Sequence, residues 1–383
     1  MSSSRDKDAV FRVFKISEDI ENSDFDPFWI TQLPAVLGTR AVSQGPYLPA
    51  KYRAICQVAR ALNNHNKRVQ AVLQPVLRDD CGDVFSAWKS REAVNRAMTR
   101  WLAPGTRNRA RFFSLDFKGF DASVPFEVID ASYRVIEGCF TRESRALIRF
   151  NREAFKRMGI LCPGFYLPGC DRTGGVPSGS VDTNMIDSIS NLLVLHYAGL
   201  ALKAPVVRIM VQGDDACLEM RGNPSLSDLA GMLFESFGMS LSMDKTTYDI
   251  GQISFLQNLH LSSYLKRGLC VGMRPIMHLI NAMWSYERID GDDWERLYDS
   301  IRWAQQVSEG DDHPSANALY DWLAGSDPVM AEVVHCVRND DGVRLQRAVA
   351  AVAKKRSSLS WGISLHSFKR SPFVSYLLGE RSQ

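Results

Sequence analysis

Two apolar runs, Val206-Val207-Arg208-Ile209-Met210-Val211 and Ala216-Cys217-Leu218-Glu219-Met220, flank the tripeptide Gly213-Asp214-Asp215. Runs of this length and β-branched content read as strands, and so short a glycine-containing link folds them back as a hairpin. Upstream, Arg111-Phe112-Phe113-Ser114-Leu115-Asp116-Phe117 reads as a buried strand, followed by a Lys118-Gly119 turn. Helical periodicity takes over next. Pro125 stands near a helix start, Ile129, Tyr133, Ile136 and Phe140 recur at spacings of 4, 3 and 4, and Gly138 terminates. A glycine-rich loop at 174–179 leads into a second helix of about 17 residues. A third helix is predicted across 226–237, with Leu229, Leu233 and Phe237 on one face and Gly238 at its end. The order strand, helix, helix, hairpin, helix implies an antiparallel sheet backed by helices, an α+β fold.

Of the 383 residues, 45% are apolar, enough for one large core or two to three smaller ones. No run approaches the ~18 apolar residues of a membrane span. The N-terminus, Met1-Ser2-Ser3-Ser4-Arg5-Asp6, lacks the apolar stretch of a secretory signal. Eight cysteines lie singly with no CxxC pair, which reads as reduced core residues rather than disulfides or zinc ligands. The chain therefore reads as intracellular. The net charge is only +3, yet it is segregated. Residues 51–111 hold 13 Lys/Arg against 4 Asp/Glu, residues 281–343 hold 4 against 14, and residues 344–383 hold 8 against 1. Such segregation suits a basic channel for a polyanion, and equally a set of solvated faces.

The aspartates suggest chemistry. Phosphoryl transfer to a hydroxyl uses two divalent ions ~4 Å apart, and hard Mg²⁺ takes carboxylate oxygens while keeping waters and phosphates as its other ligands. One Asp ending a strand and another at the tip of an adjacent hairpin meet that need, and Asp116 and Asp214 are so placed. Taken separately, Asp116 reads equally as a turn cap and Gly-Asp-Asp as an ordinary hairpin turn. Between them lies Gly174-Gly175-Val176-Pro177-Ser178-Gly179-Ser180, then Thr183, Asp187 and Asn191 at i, i+4, i+8, one polar stripe on a helix. Short polar side chains opening onto a glycine loop suit a ribose and its base; a solvated face would carry Lys and Glu. Ile186, Ile189, Leu193 and Tyr197 form a separate stripe expected to be buried.

Together these residues resemble the palm motifs of viral RNA-directed RNA polymerases, and the pattern is most similar to that of the picobirnavirus and partitivirus-like group. Asp116-Phe117-Lys118-Gly119-Phe120-Asp121 is similar to the first motif, and Gly175 through Ser180 with Thr183, Asp187-Ser188-Ile189 and Asn191 to the second. Gln212-Gly213-Asp214-Asp215 resembles the third, Lys245 the lysine of the fourth, and Ile253-Ser254-Phe255-Leu256 the fifth. Lys51-Tyr52-Arg53-Ala54-Ile55 resembles a basic fingers strand. The resemblance implies an α+β right-hand polymerase of fingers, palm and thumb with an RRM-like antiparallel palm sheet. It implies fingers at 1–111 and 140–172, palm at 112–139 and 173–265, and thumb at 266–383. By the same resemblance Asp116, Asp214 and Asp215 hold two Mg²⁺ ions, or Mn²⁺, and Lys245 acts as general acid. Asp121, Ser178, Gly179, Thr183, Asp187 and Asn191 meet the nucleotide, and Lys51 and Arg53 bind its triphosphate. Asp187 stands where many positive-strand enzymes have Asn, which points to the partitivirus-like subgroup.

Implied partners are template and product RNA, ribonucleoside triphosphates and a viral capsid protein, in the host cytoplasm or inside the virion. Trp284, Trp294, Trp303 and Trp322 are expected in the thumb core. The basic Lys354-Lys355-Arg356 and Lys369-Arg370 either touch product RNA or are solvated. Two other readings compete. A reverse transcriptase shares the palm carboxylates but is expected to place a bulky aromatic where Asp121 stands. A non-catalytic RNA-binding or packaging protein is expected to lose an aspartate at 116 or 214, and both are present.

Overall fold

Strand β3 (Phe112–Leu115) is buried along its whole length, which is why it reads as an unbroken apolar run rather than an alternating one. It is the third strand of a four-stranded sheet whose other members are β6 (Val206–Gln212), β7 (Asp215–Met220) and β8 (Thr247–Asp249), in the order β6-β7-β3-β8. Every pairing is antiparallel. This computed structural model describes residues 33–42, 51–103, 111–284, 296–326, 330–339, 342–354 and 364–380.

Alternation along the strands sends side chains to two separate cores. Phe113, Leu115, Ile209, Val211, Ala216 and Leu218 enter the larger one. There they meet the apolar faces of α3 (Phe126–Gly138), α5 (Thr183–Ala201) and α6 (Leu226–Phe237). Phe112, Met210 and Cys217 face the other way, against Val94, Met98 and Trp101 of α2 (Arg91–Trp101) and against Ile253 and Phe255. Each fully buried Phe, Leu or Ile of these layers contributes ~1.5–3 kcal/mol, so the sheet is pinned from both sides. The one polar residue of β3, Ser114, accepts a hydrogen bond from the Ser254 N–H at 2.8 Å and is thereby satisfied.

Helix boundaries follow the capping signals. Helix α6 begins at a capping box, in which Ser225 accepts from the Asp228 N–H and Asp228 accepts from the Ser225 N–H. It ends at Gly238 in the left-handed region, φ +69°. Helix α3 begins after Pro125. Strand β3 is shorter than its apolar run because Phe117 leaves the ladder and pairs only with Leu241. Tyr197, expected in the buried stripe of α5, is instead 52% exposed and stacks edge-on against Phe237 at 5.1 Å. Tyr197 and its neighbour His196 stand on the solvent face of α5, while Leu195 and Ala198 stay buried on the other.

A second sheet, ordered β2-β1-β4-β5, contains β1 (Ala35–Val42), β2 (Lys51–Gln57), β4 (Ile160–Cys162) and β5 (Phe165–Leu167). Strands β1 and β4 are parallel, with Ala35 opposite Ile160. Helix α1 (Arg60–Asp80) follows β2, and α4 (Arg145–Arg157) precedes β4.

Two compact units divide the chain, one holding the described residues of Ala54–Leu256 and His260–Val271 with 33–39, the other chiefly those of Gly272–Gln383. The second unit is helical, with its own core around Leu279, Ile301, Tyr320, Val333, Leu345 and Phe373. Trp303 packs against that core and donates to the Met283 carbonyl at 3.0 Å. Trp322, expected inside, is 43% exposed: it precedes the buried Leu323 on a helix whose inward stripe runs through Leu319, Tyr320 and Leu323. Trp294 and the side chain of Trp284 lie outside the described residues, as do Lys355 and Arg356. Among the described residues no helix is long and apolar enough to cross a membrane.

Candidate active site

The register of the central sheet brings the aspartates together. Leu115 lies opposite Ala216, so one step further the β3 strand sets Asp116 across from Asp215. Gln212 pairs with Asp215, leaving Gly213 and Asp214 as the two residues of the β6-β7 turn. Gly213 takes φ +62°, which the tight hairpin requires and a side chain would strain. Asp214 is exposed at the tip and Asp215 is largely covered. Burial first, then the charges of Asp214 and Asp116, push the Asp215 carboxyl up to about 7.

Lys245 reaches this group by way of a turn. The Lys118 N–H donates to Ser240 O at 2.8 Å and the Ser242 N–H donates to Asp116 O at 2.7 Å. Residues 242–246 then bulge out, with the Lys245 and Thr246 N–H groups both returning to Ser242 O, before β8 resumes the ladder. The bulge lays the Lys245 ammonium 3.7 Å from the Asp116 carboxylate, both being partly exposed. The neighbouring Asp244, which a simple surface ion pair would use, is not that partner.

A second carboxylate pair adjoins the first. Asp187, in the first third of α5, is buried and hydrogen-bonds with Asp121. Its carboxyl is raised well above the ordinary range, first by burial, then by the charges of Asp121, Asp214 and Asp182. Asp187 Oδ1 is buried without a hydrogen-bond partner, an acceptor waiting for a donor. Asp121 itself sits on the short helix Phe120–Ser123, which starts at Gly119 in the left-handed region.

The glycine loop is held firmly. Gly179 packs so closely on β2 that a Cβ there would stand 2.1 Å from the Cys56 carbonyl oxygen. The exposed Ser178 accepts from the Cys56 N–H at 3.2 Å, and the Thr183 hydroxyl donates to Pro177 O at 2.7 Å. Behind the loop, Asn63 donates to Gly179 O and accepts from the Val181 N–H. Asn66 donates to Ser180 and Asp182, and the Tyr133 hydroxyl donates to Asp182. The buried Arg172 donates to the carbonyls of Phe155, Met158, Gly174 and Gly175.

Asp116, Asp121, Asp187, Asp214, Asp215 and Lys245 thus converge, with Ser178 and Gly179 on the adjoining loop and Thr183 at the start of α5. Asn191 does not join them as a nucleotide contact. It is fully buried, and its amide donates to Gly213 O at 3.0 Å and Asp214 O at 3.1 Å. The helical stripe is real, but its third member meets the hairpin before it can meet solvent. Arg53 is exposed on β2, and the Lys51 side chain lies outside the described residues. Asn63, Asn66 and Arg172 escaped the sequence reading, and Ser188, quoted within the second motif, was given no role of its own. Ser188 stands between the marked Asp187 and Asn191, a faint signal that was there to find.

Residues 89–269 match the family model of viral RNA-dependent RNA polymerases, a span that holds every residue of this cluster. Over that span in sequence, and over most of its length in fold, the chain is similar to those polymerases. The RNA-directed RNA polymerase of Cryptosporidium parvum virus 1 (strain KSU-1) is 30% identical over 168 residues, 39% of this chain and 32% of that protein. The crystal structure of the RNA-dependent RNA polymerase of a human picobirnavirus matches with a TM-score of 0.77 at 21% identity, covering 91% of this chain and 66% of that one. Its insertion-loop deletion mutant matches at 0.68 and 21% identity, covering 84% and 64%. The chain spans about a third of the length of the curated relative and about two thirds of the solved polymerase.

The carboxylates suit a divalent cation by charge and by donor type. Burial, and then the charges of Asp214 and Asp116, make Asp215 resist ionisation, and a hard dication offsets both. Among the described residues no three His, Cys, Asp or Glu side chains form a ready-made cage. Mg²⁺ does not need one, since it is bound by one or two carboxylates and completed by water and phosphate.

Proposed function

We propose that this protein is an RNA-directed RNA polymerase that adds ribonucleotides to a growing strand on an RNA template. The observation that carries the reading is the sheet register that sets Asp116 across from Asp215, beside the Asp214 turn. Asp116 and Asp214 would hold a pair of Mg²⁺ ions, with Asp215 ligating or orienting them. When bound, such a pair lowers the pKa of an attacking hydroxyl and neutralises the triphosphate.

The remaining roles belong to side chains. Asp121 and Asp187 form a hydrogen-bonding pair whose spare buried acceptor suits a ribose 2′-hydroxyl. Ser178 and Thr183 line the same loop. Lys245, drawn to the site by its pairing with Asp116, is placed to donate a proton to the leaving pyrophosphate. Lys51 and Arg53, on β2, are assigned to the triphosphate. In this reading the antiparallel sheet with α3, α5 and α6 is the palm, the β1-containing sheet with α1 and α4 belongs to the fingers, and the helical second unit is the thumb. A reverse transcriptase is disfavoured because Asp121, not an aromatic ring, adjoins the sugar position.

The test is incubation of the purified chain with a short RNA template, Mg²⁺ and labelled ribonucleotides. Template-dependent extension supports the reading, and its absence with both Mg²⁺ and Mn²⁺ contradicts it.

A further inference from the structure

Helix α5 touches the candidate site twice. At Asp187 it joins Asp121 in the pair assigned to the sugar. Within the next turn it grips the backbone of the aspartate hairpin. The Gly213 N–H donates to Ser188 Oγ at 2.8 Å, and the Ser188 hydroxyl donates onward to Asn184 O at 2.6 Å. Asn191 then donates to the carbonyls of Gly213 and Asp214. Three hydrogen bonds therefore fall on the two residues of a single turn.

Both side chains are fully buried, so neither reaches a nucleotide or an ion directly. A two-residue turn is the part of a hairpin with the fewest ladder bonds, and its peptide groups ordinarily turn to water. Here a donor and an acceptor from one helix fix its height and rotation. Positions 187 and 191 share a face of α5, with 188 beside them, so the sugar contact and the seat of the turn move as one body.

We propose that Ser188 and Asn191 are positioning residues that register the Asp214 carboxylate against the ribose-contacting Asp187. The meaning of the site rests on the polymerase reading. The hydrogen bonds that hold the turn do not. A displacement of about 1 Å at a reacting centre can cost about 10²-fold in rate, which is the scale of effect expected from loosening the turn.

The experiment compares Ser188→Ala and Asn191→Ala with Ser190→Ala in the full chain. Ser190 is an equally buried serine of α5 that bonds instead to Ser132 at 2.9 Å, away from the hairpin. Three readouts are taken: Mn²⁺ affinity without RNA or nucleotide, by electron paramagnetic resonance titration; Mg²⁺ half-saturation; and the split between kcat and nucleotide KM. The two hairpin variants should weaken Mn²⁺ binding and raise the Mg²⁺ half-saturation about fivefold or more, lowering kcat about 10–100-fold with KM within about twofold. Ser190→Ala should lower stability alone. Unchanged metal affinity and half-saturation in Ser188→Ala and Asn191→Ala, with loss of stability only, would overturn the proposal. If the wild type extends no RNA, the polymerase reading fails and the Mn²⁺ titration still decides this inference. If Asn191→Ala does not fold, Ser188→Ala, which deletes one hydroxyl, decides it.

Discussion

The environment of Asp215 opposes its charge, and the consequence can be measured without any substrate. In the metal-free protein its carboxyl titrates at about 7 instead of the ordinary 3.8. An acid whose folded pKa is raised contributes stability that is fully present below 3.8 and is lost as pH rises through about 7. The window from pH 5 to pH 8 spans about two pKa units of that loss, roughly 2.7 kcal/mol at 1.36 kcal/mol per unit. Solvent at the partly exposed Asp116 and the exposed Asp214 screens some of the repulsion, so about 2 kcal/mol is the working figure. Asp215→Asn keeps the shape and cannot ionise. In EDTA, its melting temperature relative to wild type should therefore climb by about 4–8 °C between pH 5 and pH 8. Adding Mg²⁺ at pH 8 should narrow the gap, because the ion stabilises the wild-type site with all three carboxylates more than the variant with two. A difference that stays constant with pH, or that shrinks as pH rises, would refute the raised carboxyl at Asp215.

Two further outcomes follow from the same geometry. Asp121→Ala should lower the preference for ribo- over deoxyribonucleotides, chiefly by weakening ribonucleotide use, since a site built for a hydroxyl rejects a substrate without one; competition assays that return an unchanged ratio would remove Asp121 from the sugar site. Lys245→Leu should slow single-turnover incorporation tens-fold or more with only a few-fold change in nucleotide affinity, while the melting temperature barely moves because an exposed ion pair contributes ~0–1 kcal/mol. Wild-type rates in that variant, measured where chemistry limits turnover, would exclude it as the acid.

Much of the central sheet was legible because its signals are local. The run around Phe112 to Leu115 reads as a buried strand, Gly213 as a turn, and Gly238 ends α6 at the residue expected. Periodicity correctly put Thr183, Asp187 and Asn191 on one stripe. It gave the face and not the neighbour, so Asn191 looked like a ligand contact although it meets a hairpin 22 residues on. The same limit hid Asn63 and Asn66, whose partners lie on a loop distant in sequence, and Arg172, which ties that loop to the Phe155 and Met158 carbonyls. Tyr197 and Trp322 failed in the opposite sense. Large aromatics were assigned to cores, yet each stands at a position where its helix has rotated toward solvent. Lys245 was located by resemblance, and the 242–246 bulge that delivers it to Asp116 left no mark in the sequence pattern.

The central claim is that Asp116, at the end of β3, and Asp214, in the β6-β7 turn, serve one reaction. Template-dependent incorporation of labelled ribonucleotides should be measured for wild type, Asp116→Asn and Asp214→Asn, with circular dichroism confirming that each variant is folded. A neutral amide keeps the shape of the carboxylate but not the charge that a cation pair requires, so both variants should lose incorporation entirely. Activity within about tenfold of wild type in both folded variants would contradict the account, because neither carboxylate would then be part of the chemistry.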